Sequence, residues 1–372
     1  VKRIGIGLIG SGFMGRSHSL AFRAVSGIFD LPATPVQEIL ADVDAPTAAR
    51  AAAAFGFARS TGDWQEVVRD PAVDLVDITT PNALHKPIAL AAIAAGKHVN
   101  CEKPLAANAA EAQAMTEAAE AAGVQTFVGF NYLKNPLLAT AREMIDAGEI
   151  GDVVSFRGIH AEDYMVDPAA PWTWRLDPAG GHGAVADIGS HILSIARYLC
   201  GDIVEVSGQV ATVVQRRPVA RGASETRPVE VDDLARALVR FASGATGSVE
   251  ASWVGTGRKM TIAFEVTGSK GAIAFDQERM NQLEFFAPGQ PRGREGFRTI
   301  LTGTDHPYYR AFCPASAHHI GYNDLKTLEV RAILDALTGG PKFLPDFREA
   351  ARIQATVDAI VISAREKRWV TV

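Results

Sequence analysis

The sequence predicts an α/β protein, with a doubly wound parallel sheet at its N-terminus and an α+β domain on an open, mixed, mostly antiparallel sheet after it. Three observations lead there. Over roughly the first 130 residues, short apolar runs alternate with longer helical patterns, which specifies a parallel sheet covered on both faces. The first apolar run ends in a Gly-x-Gly-x-x-Gly turn, Gly10 to Gly15. From Val153 onward β-like stretches follow one another with few helices between, as antiparallel neighbours do.

Ile4 to Ile9 reads as a buried strand and Gly15 to Val25 as the helix after it. Glu38 to Asp42 reads as the second strand, and Ala45 to Phe55, rich in alanine, as the second helix. Val73 to Thr79, His98 to Cys101 and Gln125 to Gly129 supply three more strands. The helices between them are His85 to Ala95, stopped by Gly96, and Ala109 to Ala122, stopped by Gly123. Pro136 to Ala147 is helical. The β-like stretches Val204 to Val214, Asp233 to Phe241, Thr246 to Ser252, Ile262 to Thr267 and Gly271 to Phe275 follow, some of them separated by turn residues such as Ser243-Gly244. One helix, Gly183 to Tyr198, interrupts the series. Pro288 to His319 has no periodicity and reads as a long irregular loop, and helices over Asn323 to Leu337 and Phe347 to Lys367 close the chain. The expected domains are residues 1–130, 131–345 and a closing segment 346–372.

Composition narrows the functional class. With 372 residues and 47% hydrophobic content the chain is long enough for two or three domains and a sizeable core. A net charge of −5 with both signs mixed argues against a nucleic-acid partner. No apolar stretch is long enough to span a membrane, and the expected location is the cytoplasm. Cys101, Cys200 and Cys313 are far apart and form no Cys-x-x-Cys pair, so they read as reduced thiols, and no metal-ligand cluster is evident.

The glycine turn sits between a predicted strand and a predicted helix, the context in which it marks a Rossmann dinucleotide site. Gly10 permits the tight turn, Gly12 lets a pyrophosphate approach the backbone, and Gly15 lets helix and strand pack closely. Phe13 and Met14 fill the turn between them. The helix N-terminus offers free N–H groups and partial positive charge to phosphates. Asp42, closing the second strand, is the candidate for the ribose hydroxyls, and a carboxylate there favours NAD over NADP. It lies further from Gly15 than the usual spacing of roughly 20 residues, and Asp42 or Asp44 capping the next helix is the competing reading.

Two further segments carry chemistry: Cys101-Glu102-Lys103-Pro104 after the fourth strand, and Asp187-Ile188-Gly189-Ser190-His191 on the interrupting helix. Ligands of open α/β sheets sit beyond the carboxyl ends of the strands, which is where Lys103 falls. Asp187 and His191 are four residues apart and share a helix face. Oxidation of an alcohol needs a hydride acceptor, a cation beside the oxygen and a base for its proton. Lys103, His191 and Asp187 supply the cation, the imidazole and a carboxylate to orient substrate or imidazole. Taken singly, each has a structural explanation: a solvated loop lysine, or a helix-surface Asp–His contact.

With these residues in view, the sequence resembles the Gfo/Idh/MocA family of oxidoreductases (glucose–fructose oxidoreductase, inositol dehydrogenase, rhizopine catabolism) over nearly its whole length. Glu102-Lys103-Pro104 together with Asp187-x-Gly-x-His191 carries most of the likeness. Thr80-Pro81-Asn82-x-x-His85 and the closing Ala364-Arg365-Glu366-Lys367-Arg368-Trp369-Val370 add to it. The resemblance implies that Lys103 touches both the substrate oxygen and the nicotinamide ribose, that His191 is the general acid/base and that Asp187 is its partner in substrate binding. It implies that Thr80, Pro81, Asn82, His85 and Glu102 lie along the cofactor. It also implies a homo-oligomer, dimer or tetramer, built through the C-terminal sheet, and a sugar or polyol substrate. Asp305 to Tyr308 and Asn323 to Lys326 look like the branch that includes levoglucosan and related sugar dehydrogenases.

For the substrate, Trp174 and Arg175 in Trp172-Thr173-Trp174-Arg175 offer an aromatic face and a donor, with core packing of both tryptophans as the alternative. Tyr132 and His160, with Asn131 and Asp163, are further polar candidates. Tyr132-Leu133-Lys134 and His182 depart from the common family pattern. Two other functions compete with the dehydrogenase: a glycosidase that uses NAD as a redox catalyst, and a non-catalytic dinucleotide sensor.

Overall fold

The computed structural model describes residues 2–372. The chain forms two compact units, one running to Lys134 and taking in Ile320–Ala351, the other comprising Asn135–His319 and Arg352–Val372. This corrects the expected domain boundaries: residues 320–345 fold with the first unit, and the closing segment is divided at Ala351. The cause is packing. Val330, Ile333 and Leu334 of the helix Tyr322–Leu337 lie in one buried cluster with Ile4, Phe22 and Val25.

The first unit contains β1 (Lys2–Ile9), α1 (Phe13–Ile28), β2 (Ala33–Ala41), α2 (Ala45–Phe55), β3 (Arg59–Thr61), α3 (Trp64–Arg69), β4 (Leu75–Ile78), α4 (His85–Ala94), β5 (His98–Cys101), α5 (Ala109–Ala122) and β6 (Thr126–Val128). The six strands are parallel neighbours in the order β3-β2-β1-β4-β5-β6, the Rossmann order, with its switch point between β1 and β4. Local signals set the helix ends. Asp44 accepts from the Thr47 N–H to start α2, Asn108 accepts from the Glu111 N–H to start α5, and left-handed Gly56 and Gly123 end them. β3 and α3 are too short to show a hydrophobic period. β2 begins five residues before the expected Glu38, because the backbone from Ala33 onward already pairs with β1, Pro35 opposite Ile4.

The second unit contains α6 (Pro136–Asp146), β7 (Val153–Ala161), α7 (Ala184–Asp187), α8 (Gly189–Cys200), β8 (Ile203–Ala211), β9 (Arg216–Pro218), β10 (Thr226–Pro228), β11 (Leu234–Phe241), β12 (Thr246–Ser252), β13 (Thr261–Gly268), β14 (Ala272–Asp276), β15 (Gln282–Phe286), β16 (Arg298–Leu301) and β17 (Val370–Thr371). Nine strands form one sheet, ordered β16-β15-β14-β13-β7-β12-β11-β8-β17, in which only the β7–β12 pair is parallel; β9 and β10 form a separate hairpin. Ala235, Ala237, Val239 and Phe241 of β11 are buried while Arg236, Leu238 and Arg240 are exposed, so one face is covered and the other open. α8 lies on the covered face, where Gly158 of β7 leaves room for Ile192. The stretch 288–319 is not wholly irregular, since it holds β16 and a single helical turn, Tyr309–Phe312. Among the described residues no helix is long and apolar enough to cross a membrane.

Candidate active site

In the first unit the candidate residues follow the carboxyl ends of the strands. The glycine turn follows β1, Asp42 follows β2, Thr79–Asn82 follows β4, and Glu102-Lys103 follows β5. The glycines divide by role. Gly10 has a φ of +101°, which favours glycine, and a Cβ on Gly15 would lie 2.1 Å from the Gly10 carbonyl oxygen. A Cβ on Gly12 would meet nothing within 4 Å. The protein itself therefore does not require glycine at position 12; the open space in front of it does, if a diphosphate is to reach the amides at the start of α1. Among the described residues no side chain caps that helix end. This cradle fits the pyrophosphate of a dinucleotide.

Thr79 Oγ1 donates to the Gly10 carbonyl at 2.7 Å and fixes the turn. Asp42 Oδ2 accepts from the Ser11 N–H at 2.8 Å and from Ser11 Oγ, which places a half-buried carboxylate beside the glycine turn. The helix-capping task belongs to Asp44. Phe13 is 73% exposed at the mouth of the turn, its ring 5.9 Å from that of Tyr322, whose hydroxyl lies 3.4 Å from Met14 Sδ. The ring of buried Tyr132 lies 6.2 Å from that of Tyr322.

His85 and Glu102 face inward. The His85 ring is fully buried, with Nδ1 2.9 Å from the Pro104 carbonyl and Nε2 3.0 Å from the Thr80 carbonyl. Burial holds its pKa below the ordinary histidine value. It thus ties the Thr80-Pro81-Asn82 loop to Pro104. Glu102 is 5% exposed and its Oε1 is engaged by His18 and Lys326 at 2.8 Å each. Between Cys101 and Ala106, Lys103 alone is not buried. The acid is thus drawn into the core, while Lys103 next to it, past the carboxyl end of β5, stays partly exposed.

In the second unit Asp187 ends α7 and His191 lies in the first turn of α8, both buried. The single helix expected there breaks at Ile188, whose carbonyl accepts from the His191 N–H at 3.1 Å and lies 2.8 Å from His160 Nδ1. Asp232 starts α7 by accepting the N–H groups of Gly183 and Val185. A Cβ on Gly183 would lie 2.0 Å from the Asp232 carbonyl oxygen, so the glycine beside His182 has a packing reason. His160, proposed from sequence as a substrate ligand, has its Nε2 on Glu162 Oε1 at 3.0 Å and its ring centroid 5.6 Å from that of His191. It packs against His191 and is 1% exposed. Asp187 Oδ2 accepts from Tyr164 Oη at 2.8 Å and from Arg175 Nε at 3.2 Å. Burial and the Asp187 carboxylate hold the Tyr164 phenol well above its ordinary pKa, so it remains a donor. Arg175 stacks on the half-exposed Trp174 with its guanidinium 4.4 Å from the ring centroid.

The structure thus gathers Asp187, His191, His160, Tyr164 and Arg175 in the second unit, and the glycine turn, Asp42, the Thr80 loop and Lys103 in the first. Sequence reading missed Glu162 and the inward partners His18, Asp77 and Lys326. For Asp77 and Lys326 a signal was present, a charged residue beside buried apolar ones, as in Leu75-Val76-Asp77-Ile78; His18, between two serines, and Glu162, beside Asp163, carried none.

These features define a nicotinamide-dependent oxidoreductase with a Rossmann domain, and comparison with known proteins places it further. Residues 4–130 match the oxidoreductase family, NAD-binding Rossmann fold, and residues 138–274 match the GFO/IDH/MocA C-terminal domain. The chain belongs to the Gfo/Idh/MocA oxidoreductase family, and the relatives it is similar to include sugar and inositol dehydrogenases. It is 40% identical to levoglucosan dehydrogenase of Pseudarthrobacter phenanthrenivorans, over 100% of this chain and 99% of that one. D-apiose dehydrogenase of Paraburkholderia graminis is 28% identical over 100% of this chain and 90% of its own length. Among solved structures, levoglucosan dehydrogenase in complex with NADH and L-sorbose superposes with a TM-score of 0.97 at 40% identity, covering 100% of this chain and 99% of that one.

Proposed function

We propose that this protein is an NAD-dependent dehydrogenase that oxidises a secondary hydroxyl of a sugar or related polyol, with Lys103 polarising the oxygen and His191 exchanging its proton. Bound in the glycine cradle, NAD supplies the acceptor for the hydride that leaves the carbinol carbon. The remaining work falls to side chains. The Lys103 ammonium stabilises the charge that develops on the oxygen as its proton departs. His191 takes that proton. Asp187 orients the substrate, and Tyr164 and Arg175 hold Asp187 in turn. Trp174 and Arg175 offer the aromatic face and donor that suit a sugar. Asp42 makes NAD the preferred cofactor over NADP. The family's sugar dehydrogenases and the L-sorbose complex support this substrate class.

The observation that carries the reading is the exposure pattern at the end of β5, where Lys103 alone among residues 101–106 escapes burial. The test is a sugar and polyol panel, including levoglucosan and L-sorbose, followed at NADH absorbance with NAD and with NADP. On the best substrate, Lys103→Ala should lower turnover by ~100-fold or more. Turnover near wild type in that variant would remove Lys103 from the chemistry.

A further inference from the structure

Beneath Lys103 the first unit buries a chain of charged groups that the proposed chemistry does not use. His18 on α1 points Nδ1 at Asp77 Oδ2, 2.9 Å, and Nε2 at Glu102 Oε1, 2.8 Å. Asn100 Nδ2 donates to Asp77 Oδ1 at 2.8 Å. Lys326, from the helix Tyr322–Leu337, donates to the same Glu102 Oε1 at 2.8 Å and to Glu329 Oε1 at 2.9 Å. Asp77 and Lys326 are fully buried, and His18 and Glu329 are each 1% exposed. Five ionisable groups in a dry interior are costly unless their arrangement is specified.

The charges assign themselves. Burial works against a charged His18, but Asp77 and the hydrogen bonds to Asp77 and Glu102 outweigh it and raise its pKa to about 9. Burial likewise opposes Lys326, and Glu102 and Glu329 overcome it, so the ammonium persists. Lys326 and His18 together hold Glu102 ionised against its own burial. The other Glu102 oxygen, Oε2, then accepts the backbone N–H of Lys103 at 3.2 Å. Gly129 leaves the space this carboxylate fills, since a Cβ there would lie 2.6 Å from Glu102 Oε1.

We propose that Lys326 and His18 are positioning residues for Lys103: they fix the Glu102 carboxylate, and Glu102 fixes the backbone from which the Lys103 side chain projects. His18 sits on the helix whose first turn forms the phosphate cradle, so the same contact sets the lysine in register with the bound dinucleotide. Lys326 brings in a helix more than two hundred residues away in sequence. This assignment rests on the role proposed above for Lys103.

The test is a charge-balanced double variant, Lys326→Met with Glu329→Gln, which removes one buried cation and one buried anion together. Its turnover with NAD and the best sugar of the panel should fall ~10-fold or more, as expected when a reacting group is misplaced by a fraction of an ångström to an ångström. Its NADH dissociation constant, read by nicotinamide fluorescence, should stay within about threefold of wild type, because the cradle is untouched. Placed in the Lys103→Ala background, the same pair of substitutions should change the residual rate by no more than about twofold, because it acts through the missing side chain. Gly129→Ala pushes on Glu102 without altering any charge and should reproduce the turnover loss and its dependence on Lys103; it takes over the test if the double variant does not fold. Folded variants with turnover within twofold of wild type, or an equal loss when Lys103 is already absent, would overturn the assignment. Slow turnover in Lys103→Ala together with unimpaired double and Gly129 variants refutes only the positioning role. Fast turnover in Lys103→Ala refutes the reading on which it rests.

Discussion

Replacing Asp42 by asparagine tests the cofactor assignment at a single atom. The carboxylate is held by the Ser11 N–H and hydroxyl through Oδ2, and the Val43 N–H reaches Oδ1 at 2.6 Å. Asparagine keeps an acceptor for Ser11 and removes the charge. A ribose hydroxyl loses a charged acceptor and keeps a neutral one, a loss of ~1 kcal/mol. A 2′-phosphate of charge about −1.5 at ~5 Å from the carboxylate is repelled by ~2.5 kcal/mol at an effective dielectric of ~40, suited to a half-exposed group. The two effects act in opposite directions on the two cofactors. Together they should move the ratio of NADH to NADPH affinity by ~100-fold or more toward NADPH. Paired fluorescence titrations read the ratio directly, and a melting curve checks that the turn is intact. A ratio that moves by less than about threefold in a folded variant would place the ribose away from Asp42, and the preference would need another origin.

Two further outcomes follow from the first unit. Gly12→Ala should melt within ~1 °C of wild type and bind NADH at least ~10-fold more weakly, because an added Cβ meets no protein atom but stands where phosphate must approach. Gly15→Ala should instead lower stability, its Cβ lying 2.1 Å from a carbonyl oxygen; similar melting temperatures for the two would contradict the cradle geometry. The raised His18 pKa stabilises the fold fully below its unfolded value of 6.5, and that contribution is lost as pH rises through about 9. On the order of 2–3 kcal/mol should therefore disappear between roughly pH 7 and 10. Urea titrations of wild type and His18→Asn across that range should show the decline in the first only, and parallel declines would mean His18 is not charged in the folded state.

What could be read in the sequence was local. Strand, glycine turn and helix lie within a few residues of each other, and the turn's φ and its close approach to a backbone oxygen leave little choice but glycine at positions 10 and 15. Asp187 and His191 were legible as a pair, but the break at Ile188 was not, because the contacts around it come from His160 on β7 and from Asp232 between β10 and β11. The domain boundary failed for the same reason. Nothing in Tyr322–Leu337 says which sheet its apolar stripe will meet, and it joins β1 and α1 across three hundred residues. His160 and Glu102 read as ligands in the sequence; in the structure both are buried and bonded to other parts of the protein, His160 to the Ile188 carbonyl and Glu102 to His18 and Lys326.

That burial explains why Glu102 and Lys103 are neighbours at all. A lysine on a flexible stem is a poor electrophile unless its backbone is held still, and a loop past a strand end has few hydrogen bonds to hold it. An acid one residue earlier can be drawn into the core only if the core supplies cations, and aliphatic packing supplies none. His18 and Lys326 meet that need from two helices, and Asp77 and Glu329 in turn keep them charged. The two segments that sequence reading treated as separate motifs, the glycine turn with its helix and the Glu-Lys-Pro turn, are joined by one histidine three residues past Gly15. A variant that kept every motif residue and lost His18 would retain the written signature of the family while loosening the lysine from the cradle it must face.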